Sequence, residues 1–169
     1  MILKQLKILT TLTLLALSLT AYSDQLPSPT GPVILTVSGN ILHTNKGDVA
    51  EFDRAMLMAL EQGNIVTENP WTDGSNTYEG PTGQALMAAV GAQGDTLVLT
   101  ALNDYSAEMP RSDIAEFGLV FATHMNASQL RIRDRGPLFV IYPFTDQPSL
   151  NAERYHNRSV WQVNRIDIR

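Results

Sequence analysis

The chain contains no cysteine, and histidine occurs only three times in its 169 residues. Without a thiol there is no disulfide, no thiolate nucleophile and no thiolate metal ligand, so packing alone has to hold the fold. His43, His124 and His156 are too scattered for a zinc spacing and read as surface or hydrogen-bonded histidines. Basic residues are outnumbered 12 to 17, for a net charge of -5, which argues against a nucleic-acid or anionic-membrane partner. Catalytic signatures are missing too: there is no G-x-S-x-G, no Walker loop, no dinucleotide fingerprint and no metal-binding doublet. Lone carboxylates such as Glu68, Asp73 and Asp104 read as solvated loop charges.

A long apolar run occurs at the start, from Ile8 to Ala21, preceded by Lys4 and Lys7. It is shorter than the roughly 20 apolar residues that a spanning helix needs, and Thr10, Thr11, Thr13 and Ser18 interrupt it. Ala21-Tyr22-Ser23 has the small-x-small form of a cleavage site, so residues 1–23 read as a secretory signal peptide cut near Ser23. The expected location is the periplasm, as a soluble protein made more acidic by the loss of two lysines. Residues 24–32 (DQLPSPTGP) form a Pro-rich leader with little reason to order on its own. Residues 33–169 are long enough for one domain with its own core.

Within that domain, Val33 to Gly39 alternates as a strand and stops at Gly39-Asn40. Asp48 and Glu51 have capping-box spacing, and Phe52, Met56, Ala59 and Leu60 recur at helical intervals, so an amphipathic helix is expected to run until Gly63. Ile65 to Gly83 is polar and rich in Gly, Pro, Asn and Asp; it reads as a long loop, of the kind that is usually functional or disordered. Trp71 in that stretch is either a lid over the core or a flat surface for a planar ligand. Thr82 is positioned to cap a short helix that Gly91 ends. Thr96 to Leu102 reads as a buried strand leading into the polar turn Asn103-Asp104-Tyr105. A helical turn from Ser112 to Phe117 and a strand from Gly118 to Met125 follow. From Ser159 the chain alternates again, and the apolar set changes parity between Val163 and Ile166, which predicts a bulge near Asn164. The elements alternate loosely, with no ordered βαβ repeat. The class is α+β, with a mixed, curved β-sheet and short flanking helices.

The stretch RIRDRGPLFVIYPF, Arg131 to Phe144, joins a charged approach to a buried strand. If the approach is extended, Arg131, Arg133 and Arg135 share one face. Gly136 lets another group come close, Pro137 starts a new element, and Leu138 to Tyr142 is apolar on both faces. Three guanidiniums at such a turn are either an anion site or a salt-bridged corner.

The landmarks LTVSGNI (35–41), TENPW (67–71), YEGPTGQALMAAVGA (78–92), TALNDYSAEMP (100–110), RDRGPLFVIYPF (133–144) and VWQVNRIDI (160–168) occur in an order that resembles the molybdopterin-binding domain of the sulfite oxidase family. The resemblance covers nearly all of the chain after residue 32. It implies the sulfite-oxidase fold and a pterin-dithiolene cofactor whose molybdenum is ligated by a Cys in the loop after the first helix. Here that loop reads Thr67, Glu68, Asn69, Pro70. The chain more closely resembles a Cys-less, exported branch, the PruR-type periplasmic pterin-binding proteins. That resemblance implies a non-catalytic protein that binds a reduced pterin, without molybdenum. It also implies a relay to the periplasmic domain of a membrane-bound signalling protein, a cyclic-di-GMP cyclase or phosphodiesterase or a histidine kinase. On this reading Trp71 or Tyr105 stacks on the ring, and Glu68, Asn69, Asn103 and Asp104 read its donor-acceptor edge. Arg133 and Arg135 meet the ring carbonyl or an anionic tail, and Gly136 allows close approach. The alternative is a small molybdopterin-dependent oxidoreductase with a non-Cys metal ligand.

Overall fold

The computed structural model describes residues 26–169, so the expected signal peptide lies outside the described residues. The first strand, β1 (Val33–Gly39), forms as its alternation dictates, with Leu35 and Val37 turned into the core. It pairs antiparallel with β2 (Ala50–Asp53), where a continuous helix was expected. Two features decide for the strand. Asn45 clamps the Glu51 backbone, accepting from its N–H and donating to its carbonyl, both at 2.8 Å, so Glu51 is not available to close a capping box on Asp48. Phe52 is then buried opposite Leu35. The helix α1 (Arg54–Ala59) begins later, capped by Asp53, whose Oδ1 accepts from the Met56 N–H at 2.9 Å.

The stretch expected to be a loop is instead a hairpin. Strand β3 (Gln62–Asn69) pairs with β4 (Thr72–Pro81) in a long register that includes Ile65 opposite Tyr78. Ile65 and Thr67 point inward on β3 and Tyr78 is fully buried on β4, so alternation of burial rather than composition decides the structure. Helix α2 (Gly83–Val90) has the expected ends: Thr82 Oγ1 accepts from the Ala85 N–H, and Gly91 takes the left-handed conformation that closes it. Strand β5 (Thr96–Ala101) follows as read, but it returns through β6 (Ser106–Pro110), which sequence alternation did not reveal. Helix α3 (Ser112–Phe117) precedes the short strands β7 (Val120–Ala122), β8 (His124–Met125) and β9 (Ser128–Gln129).

Arg131 to Arg135 is not extended. Residues Ile132–Asp134 form a 3-10 turn, and Arg135 sits at a positive φ of 73°, so the three arginines share no face. After it, β10 (Phe139–Ile141) is buried on both sides and pairs with β7. Helix α4 (Glu153–Arg158) leads into β11 (Val163–Ile168). The register of β11 against β5 shifts between Val163 and Arg165, which is the bulge that the change of parity predicts.

The result is an α+β fold with three sheets among the described residues, ordered β2-β1-β11-β5-β6, β10-β7 and β3-β4-β8-β9. Only the β1–β11 pair in the first sheet is parallel, so that sheet is mixed. Leu35, Val37, Leu97, Leu99, Val163 and Ile166 fill its inner face. Beside them a buried carboxylate joins two helices to the end of β10: Asp113 Oδ2 accepts from the Tyr142 hydroxyl at 2.7 Å and from Arg158 Nη1 at 2.9 Å. Burial, with the Asp113 bond second, pushes the Tyr142 pKa far above its usual value and keeps the phenol a donor.

Asp53 does a second job. Its Oδ2 accepts from the Thr30 and Gly31 N–H groups, both at 2.8 Å, and so ties the Pro-rich leader to the domain; Leu26 packs on the core nearby. These bonds, with that from Met56 first, hold the Asp53 pKa below the ordinary 3.8. A depressed carboxylate contributes stability above the unfolded pKa and loses it as pH falls through the folded one. In Asp53→Asn the Oδ1 cap survives, but an NH₂ faces two donors. We expect a melting temperature several degrees lower at neutral pH and faster proteolysis within residues 26–31, with the difference from wild type shrinking below about pH 3.8. Thermal melts at several pH values, with mass spectrometry of a limited digest, check this.

Candidate functional site

The turn Asn69 to Thr72 between β3 and β4 carries Trp71 to the place where the large sheet meets the small ones. Asn69 Oδ1 accepts from the Trp71 N–H at 3.0 Å and the Thr72 hydroxyl at 3.1 Å, and its Nδ2 donates to the Tyr78 hydroxyl at 2.7 Å. Trp71 is then surrounded edge-on by Phe139, Phe144, His156 and Trp161, with ring centroids 5.7 to 6.2 Å away. Such pairs contribute roughly 0.5–1.5 kcal/mol each beyond burial, so the indole is held rigidly. It packs on both hydrophobic clusters, as a lid over the core would, and it also lines a cavity.

That cavity has a volume of about 290 Å³. Its walls are Trp71, Trp161, Tyr105 and His156, with Asn103 and Asn157 at the polar side. Tyr105 closes it by donating from its hydroxyl to the Asn157 carbonyl at 3.2 Å, and the Asn103 side chain fixes the turn by accepting from the Tyr105 N–H at 3.2 Å. Trp161 is 36% exposed and Tyr105 47%, so both rings are accessible. Behind the wall, the Arg135 guanidinium lies 5.9 Å from the Trp161 ring centroid and donates from Nη2 to the Trp71 carbonyl. His156 lines the cavity as well, and its Nε2 is buried and has no hydrogen-bond partner among the described residues.

Three of the residues expected to contact a ligand, Trp71, Asn103 and Tyr105, come together in this cavity, with Arg135 supporting its wall. The others lie elsewhere. Glu68 and Asn69 border a separate depression with Thr145 and Pro148, and the Asn69 amide is used within its own turn. Asp104, at a positive φ of 64°, pairs with Arg165 at 2.8 Å. Arg133 is exposed and 3.9 Å from Asp134, which also takes Arg131. At Gly136 the close approach is internal: a Cβ there would meet the Leu130 carbonyl oxygen at 2.2 Å. His156 and Trp161 are the lining residues that sequence reasoning missed, because His156 reads as a surface or hydrogen-bonded histidine and Trp161 as part of an alternating strand.

Neither a protein-family model nor a curated protein sequence matches the chain. Among solved structures it is similar to the sulfane dehydrogenase SoxCD from Paracoccus pantotrophus, with a TM-score of 0.56 and 17% identity. The match covers 79% of this chain and 37% of that one, so the chain spans well under half of that protein's length. The fold is sulfite-oxidase-like. At this identity the likeness shows the fold alone.

Both tryptophans of the sequence line the cavity, so intrinsic tryptophan emission reports on it selectively. Removing the guanidinium in Arg135→Ala takes away the donor on the Trp71 carbonyl and the cation at Trp161. The expected result is red-shifted emission and a larger acrylamide quenching constant, with little change in far-ultraviolet circular dichroism.

Proposed function

We propose that the protein is a periplasmic, non-catalytic pterin-binding protein that relays pterin status to a membrane-bound signalling protein. The single observation that carries the reading is the cavity walled by Trp71, Trp161 and Tyr105, with the unpartnered His156 Nε2 beside it. A pterin is flat, bicyclic and edged with donors and acceptors, so it needs aromatic surface and a few fixed polar groups. About 290 Å³ is at the small end of ligand pockets, which run from roughly 300 to 1,000 Å³. It suits one bicyclic ring better than a ring extended by a dinucleotide. The Asn103 amide and the Asn157 carbonyl supply a donor and an acceptor of the kind that the ring edge requires.

The donor set does not suit molybdenum. The family's metal is held through a thiolate, and this sequence has none. At the corresponding turn Asn69 is committed to Tyr78, Trp71 and Thr72, and the Thr67 hydroxyl donates to the Glu68 carbonyl. The cavity lining carries neither a carboxylate nor a thiol to act on a bound substrate. Those residues support the reading of a relay without turnover. The partner would be the periplasmic domain of a cyclic-di-GMP cyclase or phosphodiesterase or of a histidine kinase, in line with the export signal read from residues 1–23.

Protein purified from its own periplasm should carry a fluorescent, metal-free ligand. Stoichiometric molybdenum, or turnover with a redox dye, would support the oxidoreductase reading instead. In titrations with a tetrahydropterin followed by tryptophan quenching, Trp71→Ala should weaken binding more than tenfold, since one aromatic stacking partner contributes roughly 1–3 kcal/mol. Trp161→Ala, at a more exposed position, is the companion that does not threaten the core. Wild-type affinity in both variants would remove the cavity from consideration.

A further inference from the structure

A second cavity, of about 470 Å³, lies on the other side of the segment where β11 begins. It shares no lining residue with the first. Two of its lining residues have buried polar atoms without a hydrogen-bond partner among the described residues: Nη1 of Arg54 and Oδ1 of Asn164. Arg54 opens α1 directly after Asp53, but that carboxylate is already filled by the Met56, Thr30 and Gly31 N–H groups. Burial pulls the Arg54 pKa below its usual value, as happens to a cation that has surrendered water without gaining a counter-charge. Arg131 and Arg165 add two further guanidiniums to the wall, and their partners Asp134 and Asp104 are not part of it. Among the described residues the lining therefore contains three cations and no carboxylate.

The rest of the wall is aliphatic. Val33, Leu102 and Ile132 are 44%, 43% and 61% exposed, and all three face this cavity. Exposed aliphatic side chains gathered around an unpaired, partly buried guanidinium match a molecule with both characters. Inorganic phosphate would meet the arginines and leave the apolar wall in water. A neutral hydrocarbon would leave Arg54 unpaired.

We propose that this cavity binds a small organic carboxylate: the carboxylate sits on Arg54, its apolar body lies on Val33, Leu102 and Ile132, and Asn164 fixes the head group. A planar guanidinium takes a carboxylate through two parallel N–H bonds, and the Asn164 amide presents an acceptor to a ligand hydroxyl or, rotated, a donor to the second oxygen.

The test is calorimetric titration of the purified protein with sodium hexanoate, inorganic phosphate and hexan-1-ol. Hexanoate should bind one to one with a dissociation constant below roughly 1 mM, a free energy near the −4 kcal/mol of that scale. Hexanol and phosphate should each bind at least tenfold more weakly. Arg54→Gln should weaken hexanoate binding at least tenfold. Ile132→Asp, at an exposed position that leaves the fold unthreatened, should abolish it. The assignment is overturned if hexanoate does not bind, if hexanol binds as well as hexanoate, if phosphate binds as tightly and ignores Ile132→Asp, or if Arg54→Gln and Ile132→Asp both bind like wild type.

Discussion

The start of β11 is the constraint on which the cavities depend. Gln162 has a positive φ of 55°, and its backbone and side chain are used in full around that bend. Its N–H donates to the Arg135 carbonyl at 2.9 Å, its Nε2 to the Ile132 carbonyl at 2.8 Å, and its own carbonyl accepts from the Leu102 N–H at 3.0 Å. Three chain segments that are distant in sequence meet there: the arginine-rich 3-10 turn, the exit of β5 and the entry of β11. One residue earlier, Trp161 bridges to Phe139 and presents its ring to the first cavity. Two residues later, Asn164 sits in the register shift and lines the second. An unbroken β-strand would alternate its side chains across one sheet. A residue at positive φ followed by a bulge is what turns neighbouring side chains toward two different cavities.

The same node explains the division of labour among the arginines. Arg135 is drawn inward because its carbonyl is fixed by Gln162 and its left-handed backbone turns the side chain toward Trp71 and Trp161. Arg131 and Arg133 remain on the outside of the 3-10 turn with Asp134, an exposed arrangement that contributes little to stability. Their even spacing in the sequence invited the reading of a common face, but the turn takes three residues per revolution instead of two. The extended reading failed for a local reason: the chain has to reach Gly136, whose backbone packs against Leu130, and the 3-10 turn is how it does so.

What the sequence made legible were elements whose signal is local. Alternation announced β1 and β5, the Thr82 and Gly91 caps delimited α2, and the parity change before Ile166 located the bulge in β11. The hairpin β3–β4 was illegible because its pairing partners are each other, and composition rich in Gly, Pro and Asn looks like a loop when neither strand is seen beside the other. Strand β2 was misread for the opposite reason: helical spacing of Phe52 and Met56 is real, but Asn45 and Leu35, both outside the window, decide Glu51 and Phe52. The cavity behaves likewise. Trp71, Asn103 and Tyr105 stand out as aromatic or turn residues in polar surroundings, whereas His156 and Trp161 acquire meaning only when α4 and β11 fold back onto the hairpin turn.

The aromatic wall is also what the β3–β4 turn presents in a chain without cysteine. That turn is held by Asn69, Thr72 and Tyr78, through directional bonds that use both polar side-chain atoms of Asn69. What remains to line the cavity is flat, apolar surface with Asn103 and His156 at its margin. On the proposed reading such a surface recognises a ring by shape and stacking and a ring edge by a few hydrogen bonds, interactions already made in the bound ground state. Binding that is uniform in this sense lowers a dissociation constant without lowering a barrier. The proposed relay asks for binding of that kind, since a message carried by occupancy needs affinity and no turnover.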